Sequence, residues 1–345
     1  MANANPRSDK RSLLSIDLAL QGGGSHGAFT WGVLDRILDV PWIKIEAISG
    51  TSAGAMNAAI LAHGLVNGGP QAAQQALHEF WSRVAQAAAF SPFQRTCMDH
   101  ILGRWTLDFS PAYIVSDLMA RLVSPYTLGG WNPLVEILND IVDLSALKRA
   151  PVKIFITATN VRTGRGRVFR NDEISADVLL ASACLPSMYQ AVEIDGEFYW
   201  DGGYAGNPTI TPLVRESDAQ DVVLVQINPV ERADVPRTAR DIVNRVNEVS
   251  FNATLLKELR MIALLRRVAD PGNSEGRRWA EMRMHRISSD MMPGLGASSK
   301  LNAEWAFLEM LRDEGRRVTS EFGARHRDDI GIRSTYNVED LLEGV

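Results

Sequence analysis

The sequence predicts an α/β fold with a mostly parallel central sheet, followed by a mainly helical C-terminal part. Three observations carry that expectation. β-Branched apolar runs of strand length recur between stretches with helical periodicity. The first units read strand, glycine loop, helix, strand, tight turn, helix, an order that implies parallel strands joined by right-handed crossovers. Glycines clustered with serine and aspartate stand at the ends of strands, where such sheets carry their chemistry.

Residues 16–20 form the first strand, followed at once by Gly22-Gly23-Gly24-Ser25-His26-Gly27. A helix over 28–38 presents Phe29, Trp31, Leu34, Ile37 and Leu38 on one broad face, and Pro41 ends it. Ile43, Ile45 and Ile48 mark a second strand that stops at Gly50, and a small-residue helix begins at Ala53. The uncharged run 47–66 has the length of a membrane span, but its glycines, Thr51, Ser52, Asn57 and His63 fit strand, turn and buried helix better. A helix over 71–89 carries Leu77, Phe80, Trp81 and Val84. From 90 to 127 the pattern loosens, with a helical piece at 114–123; this stretch suits either a lid over an acyl chain or an ordinary helical excursion. Asn132-Pro133 reads as the cap and first residue of a helix to 142.

A third strand spans 152–159, with a hairpin return through Thr163-Gly164-Arg165-Gly166 to Val168-Phe169. A helix over 174–184 ends at Pro186. The Asp195-Gly196 turn joins 192–194 to 197–200 and delivers Asp201-Gly202-Gly203 at a strand end. Residues 221–228 form a buried parallel strand. One long helix or two joined ones cover 238–268, with Thr238 as cap, Asp241 at its third position, and Ile242, Val246, Val249, Leu256, Leu259 and Ile262 as a core face. The arginines around that helix suit anionic lipid as a second reading. A last strand at 282–287, a loop at 293–299 and helices at 302–322 and 338–342 close the chain.

At 345 residues, with 46 % hydrophobic and 22 % charged residues, the chain can bury a large core and is too apolar for disorder. The expected organisation is a catalytic domain over 14–230 with a helical insertion at about 85–145, and a mainly helical part over 231–345 packed on the same domain. A net charge of −5 argues against nucleic acid as a partner. Two distant cysteines, Cys97 and Cys184, suggest neither a disulfide framework nor a metal site, which fits a cytoplasmic setting. Residues 1–11 are basic but lead into no apolar core, so no signal peptide is expected.

Gly50-Thr51-Ser52-Ala53-Gly54, between strand and helix, is the context of a nucleophile elbow: the glycines permit the sharp turn and the hydroxyl stands at a helix N-terminus. Gly22-x-Gly24-x-x-Gly27 also matches a dinucleotide fingerprint, with Glu46 about where a ribose-binding acid would lie. The strand runs on past Glu46, however, and an oxyanion loop beside Ser52 explains the glycines better. A serine needs a base. An order of serine, acid, histidine leaves His285 or His326, neither in a glycine-rich turn after a strand, whereas Asp201 ends a strand before two glycines. The residues therefore favour a Ser52–Asp201 dyad and a serine acyl hydrolase.

Taken together these motifs resemble the patatin-like phospholipases over about residues 14–230: Gly22 to Gly27, Gly50 to Gly54, Ala181-Ser182-Ala183-Cys184-Leu185-Pro186, and Asp201 to Gly203 stand in the family's order. The resemblance implies Ser52 and Asp201 as the catalytic pair. It also implies a three-layer α/β/α sandwich with a helical C-terminal extension, an oxyanion hole from Gly22, Gly23, Gly24 and Ala53, motif glycines at Gly27, Gly50, Gly54, Gly202 and Gly203, hydrolysis of lipid acyl esters, and no metal or organic cofactor. Many relatives carry Arg or Lys where this chain has His26, which is either a pH-responsive substrate contact or a structural bond of the loop. Two other readings remain open at this point: another ester, such as an intracellular storage polyester, and a non-enzymatic scaffold binding a membrane or partner. Peripheral contact with a lipid surface is compatible with each, and the sequence leaves oligomeric state open.

Overall fold

The computed structural model describes residues 12–128, 132–232, 234–270, 272 and 274–342. The leader expectation at 1–11 lies outside them. The chain opens with β1 (Leu14–Leu20), α1 (Gly27–Leu38), β2 (Ile43–Gly50) and α2 (Ala53–Ala89). The two helices expected at 53 and 71 meet end to end in α2, across a kink where Gly69 adopts a φ of 72° ahead of Pro70. Four short helices follow, α3 (Cys97–Ile101), α4 (Pro111–Leu122), α5 (Pro125–Leu128) and α6 (Pro133–Ile141). Asn132 caps the last of them, accepting a bond from the Leu134 N–H at 3.1 Å.

β3 (Lys153–Asn160), β4 (Gly166–Arg170), α7 (Ala176–Ser182), β5 (Val192–Ile194), β6 (Glu197–Asp201), α8 (Thr211–Glu216) and β7 (Asp221–Val225) continue the chain. It ends in α9 (Ala239–Val268), α10 (Ser274–Glu281), β8 (Arg283–Ile287) and α11 (Trp305–His326). The strand order is β5-β6-β3-β2-β1-β7-β8, with β4 paired to β3. The run β3-β2-β1-β7-β8 is parallel and the edge hairpins are antiparallel.

Strand side chains alternate between two cores, which makes the three layers. Ile16, Leu18 and Leu20 of β1 and Val223 and Val225 of β7 join α1, α2, α6, α7 and α11 on one face. Ala19, Val222, Leu224 and Met284 join α8, α9 and α10 on the other. β1 has β2 on one side and β7 on the other, so the direction of strand addition reverses there. The C-terminal ends of β1, β2 and β7 consequently border the crevice where such sheets place ligands.

One expectation needs correction. Only the second half of α9 reaches the core, through Leu255, Leu259, Ile262 and Ala263, while Ile242, Val246 and Val249 are 46 %, 58 % and 50 % exposed. A 30-residue helix is roughly 45 Å long, whereas a five-residue strand covers roughly 17 Å, so α9 overhangs the sheet. Several arginines near it are engaged within the chain: Arg245 pairs with Glu248, Arg267 with Glu339, Arg278 with Asp218 and Arg283 with Asp221. Residues 90–128 are a helical excursion tied down by buried Asp99 and Leu107, and they leave Ile114, Val115, Leu118 and Met119 exposed on α4. The run at 47–66 is divided among β2, the turn and α2, and no helix among the described residues is long and apolar enough to cross a membrane.

Candidate active site

Ser52 occupies the turn between β2 and α2 with φ 54° and ψ −122°, a backbone conformation that non-glycine residues rarely hold. The surroundings leave it little choice. Gly54 packs so closely on β1 that a Cβ there would lie 2.3 Å from the Leu20 carbonyl oxygen, and Gly50 just before the turn ends β2. The Ser52 N–H donates to Ser182 Oγ at 2.9 Å, and that hydroxyl donates to the Thr157 carbonyl at 2.7 Å. Thr51 Oγ1 donates to the Gly206 carbonyl at 2.7 Å. The elbow is thus braced from β3, α7 and the segment after β6.

Asp201 arrives from the other direction. The β5–β6 hairpin runs antiparallel to β3 and sets Asp201 opposite Ala158. Its N–H donates to the Cys184 carbonyl at 2.8 Å, and its carbonyl accepts from Thr159 Oγ1 at 2.8 Å. The Gly202-Gly203 turn that follows folds back so that the Gly203 N–H donates to Asp201 Oδ1 at 2.7 Å. Phe251 of α9 packs over this turn, against Tyr204. The Ser52 side chain lies near the carboxyl and favours its ionised form. Burial pushes its pKa up to about 7, and the Gly203 bond and the nearby Ser52 hydroxyl only partly oppose that. A buried carboxylate poised near neutrality beside a hydroxyl can take that hydroxyl's proton.

The glycine loop after β1 lies against the same elbow. Gly22 was expected among the oxyanion donors, but its N–H is donated to Asn207 Oδ1 at 2.6 Å. The amides of Gly23, Gly24 and Ala53 have no such backbone or side-chain acceptor among the described residues. Unpaired amides beside a helix N-terminus favour negative charge. Gly27 opens α1 below the loop. His26 is 2 % exposed, with Nε2 2.7 Å from Ser299 Oγ, and burial holds its pKa well below the ordinary imidazole range. It is a neutral, loop-anchoring side chain enclosed away from solvent.

Further polar side chains complete this loop that the sequence did not single out. Gln21 Oε1 accepts from the backbone N–H groups of Ile227 and Asn228, both at 2.9 Å, and Asn228 Nδ2 donates to the Gly22 carbonyl at 2.7 Å. The one available signal was an asparagine at the end of the buried stretch 221–228. Ser182 belonged to the Ala-Ser-x-x-x-Pro stretch, and its role as a brace for the Ser52 amide depends on a contact across 130 residues.

The other candidates lie elsewhere. His285 on β8 is fully buried, its Nε2 2.9 Å from Asp221 Oδ1 and its Nδ1 2.9 Å from Thr335 Oγ1, so both ring nitrogens are engaged away from Ser52. His326 pairs with Asp329 at the end of α11. Glu46 sits mid-strand, bonded to Lys44 at 2.8 Å, and takes no part in the glycine loop as a ribose-binding acid would. Cys184 donates to the Gln190 carbonyl, and burial pushes its thiol up to about 12, which suits a buried small side chain better than a nucleophile. Among the described residues no group of three or more metal-ligating side chains converges.

Among solved structures, the chain is similar to VipD from Legionella pneumophila, with 14 % identity over 88 % of this chain and 67 % of that one, at a TM-score of 0.31. It is also similar to the type III effector protein ExoU, with 15 % identity over 91 % of this chain and 53 % of that one, at a TM-score of 0.30. The chain thus spans about two thirds and half of the lengths of those proteins. Comparison with curated proteins gives no match. Residues 18–214 match the family described as patatin-like phospholipase, and that match covers more than half of the chain. The glycine loop, the elbow and the Asp201 turn all fall within it, and the chain belongs to the patatin-like phospholipase family.

Proposed function

We propose that the chain hydrolyses acyl esters of lipids, of the phospholipase A or lysophospholipase type, with Ser52 as nucleophile and Asp201 as its base. Ser52 Oγ attacks the ester carbonyl while Asp201 takes the hydroxyl proton. The tetrahedral oxyanion is held by the N–H groups of Gly23, Gly24 and Ala53. Collapse breaks the bond to the alcohol, which leaves with the proton from Asp201, and an acyl-Ser52 remains. Asp201 then takes a proton from water as it attacks the acyl group, and the free acid departs with Ser52 restored.

The observation that carries this reading is the positive-φ elbow at Ser52, beside amides with no protein acceptor and close enough to the Asp201 carboxyl to favour its ionised form. Peripheral contact with a lipid surface belongs to the same proposal, supported by the exposed Ile114, Val115, Leu118 and Met119. Hydrolysis of a panel of p-nitrophenyl esters and phospholipid vesicles by wild type and Ser52→Ala tests the reading. Activity that disappears with Ser52, with circular dichroism unchanged, is the expected result. Esters hydrolysed equally by both proteins would refute it, and preference for a polyester over every lipid would shift the substrate class.

A further inference from the structure

The mechanism leaves one half-buried charge beside the glycine loop without a task. Lys300 lies in the 3-10 turn Ala297–Leu301, beyond the family match at 18–214. Its Nζ donates to Asn228 Oδ1 at 2.7 Å, and among the described residues no carboxylate lies within ion-pair distance of it. Glu248, the buried acid whose field it feels most, is already held by Arg232 and Arg245. The side chain is only partly exposed, and a cation held against an amide oxygen with no carboxylate on it is further stabilised when negative charge appears nearby. The groups that act on it are Glu248, Arg232 and Asp201, and Lys300 in turn acts on Asp201 and His26.

The same turn grips the glycine loop at three places. Asn228 cannot flip its amide, because its Oδ1 must face the ammonium; its Nδ2 is thereby directed at the Gly22 carbonyl, 2.7 Å away. The Lys300 carbonyl lies against Gly24, which has a φ of 57°, and a Cβ on Gly24 would come within 2.4 Å of that oxygen. Ser299 Oγ donates to the Gly296 carbonyl at 2.6 Å, so in its 2.7 Å contact with His26 it accepts, and His26 is the Nε2–H tautomer.

We propose that Lys300 is a positioning residue for the acyl-transfer site: through Asn228 it fixes Gly22 and the direction of the Gly23 and Gly24 amides, and its charge favours the Asp201 carboxylate and the oxyanion. The inference rests on the acyl-hydrolase reading above. Loop geometry and charge can be separated, because Lys300→Gln keeps a donor for Asn228 without the charge, whereas Lys300→Met removes both.

The experiment combines hydrogen–deuterium exchange over residues 20–27 with pH profiles of kcat and KM for wild type, Lys300→Met and Lys300→Gln. Lys300→Met should speed exchange of the loop about tenfold and lower kcat by roughly 10- to 100-fold, with KM within about twofold of wild type. Lys300→Gln should leave loop exchange near wild type, yet still lower kcat and move the acid limb of its profile to higher pH. A Lys300→Met variant with unchanged exchange would overturn the positioning role. Unmoved kcat profiles in both variants would overturn the electrostatic one. If Lys300→Met fails to fold, the Lys300→Gln profile decides the second point alone. If wild type hydrolyses no ester, the acyl-hydrolase reading fails, and loop exchange still decides whether Lys300 holds the loop.

Discussion

Asp221, His285 and Thr335 form an acid–imidazole–hydroxyl chain with contacts of 2.9 Å at both ring nitrogens, the donor order of a hydrolytic triad. Ser52 and Asp201 form a plainer pair with no imidazole. The two groupings sit on one sheet and differ in everything around them. Asp221 accepts further bonds from Arg283 and the Gly331 N–H, and although burial opposes it, the bonds from His285, Arg283 and Gly331 hold its pKa down at about 2. Every member is satisfied, and the cluster staples the segment 331–336 onto β7 and β8. Ser52, by contrast, is held in a strained turn, beside amides with no acceptor, against an acid that burial has raised toward neutrality. A hydrogen-bonded chain of the right residue types is thus insufficient for chemistry. On the proposal that Ser52 is the nucleophile, strain, unspent donors and a poised base are what distinguish its site from a structural clip.

The sharpest way to break this contrast is to remove one side at a time. Ser52→Ala and Asp201→Asn should each lower kcat/KM by roughly 10⁴-fold in steady-state assays, since each removes an irreplaceable partner. His285→Ala should leave kcat/KM within about twofold while lowering unfolding free energy by about 2 kcal/mol in urea titration, because Asp221 loses a charge-assisted bond. An inactive, fully stable His285→Ala would reverse the two assignments. Next in size is Ser182→Ala, which strips the Ser52 amide of its acceptor; a loss of about tenfold in kcat with little change in KM is expected.

The pH response is the finest test. In the proposed mechanism Asp201 works as a carboxylate, so with a pKa of about 7 the activity should fall below pH 7 toward a tenfold loss per unit and level off above it. The same raised value means that the protonated carboxyl stabilises the fold at low pH, and that contribution is lost as pH rises from its unfolded value near 4 through 7. At pH 8, Asp201→Asn should therefore melt about 2–4 °C above wild type in a calorimetric scan.

What was legible in the sequence was whatever is local. The glycine loop, the elbow and the Asp201 turn each announce themselves within six residues, because the change from strand to turn to helix forces particular residue types into adjacent positions. The braces were not legible. Ser182, Asn207 and Asn228 act across 130, 185 and 206 residues, and although a motif marks Ser182 and a strand end marks Asn228, nothing local tells which group either one contacts. For α9, periodicity correctly gave an amphipathic helix, but only the length of the strands beneath decides that Ile242, Val246 and Val249 remain outside. His26 shows the same limit: its burial comes from Ser299 and Phe307, far along the chain.

The most direct measurement is covalent labelling with an active-site-directed fluorophosphonate, followed by peptide mapping of wild type, Asp201→Asn and His285→Ala. The account predicts a single adduct on Ser52 in wild type and in His285→Ala, and labelling slowed at least about 100-fold in Asp201→Asn. An adduct on another residue, or equal labelling in wild type and Asp201→Asn, would contradict it.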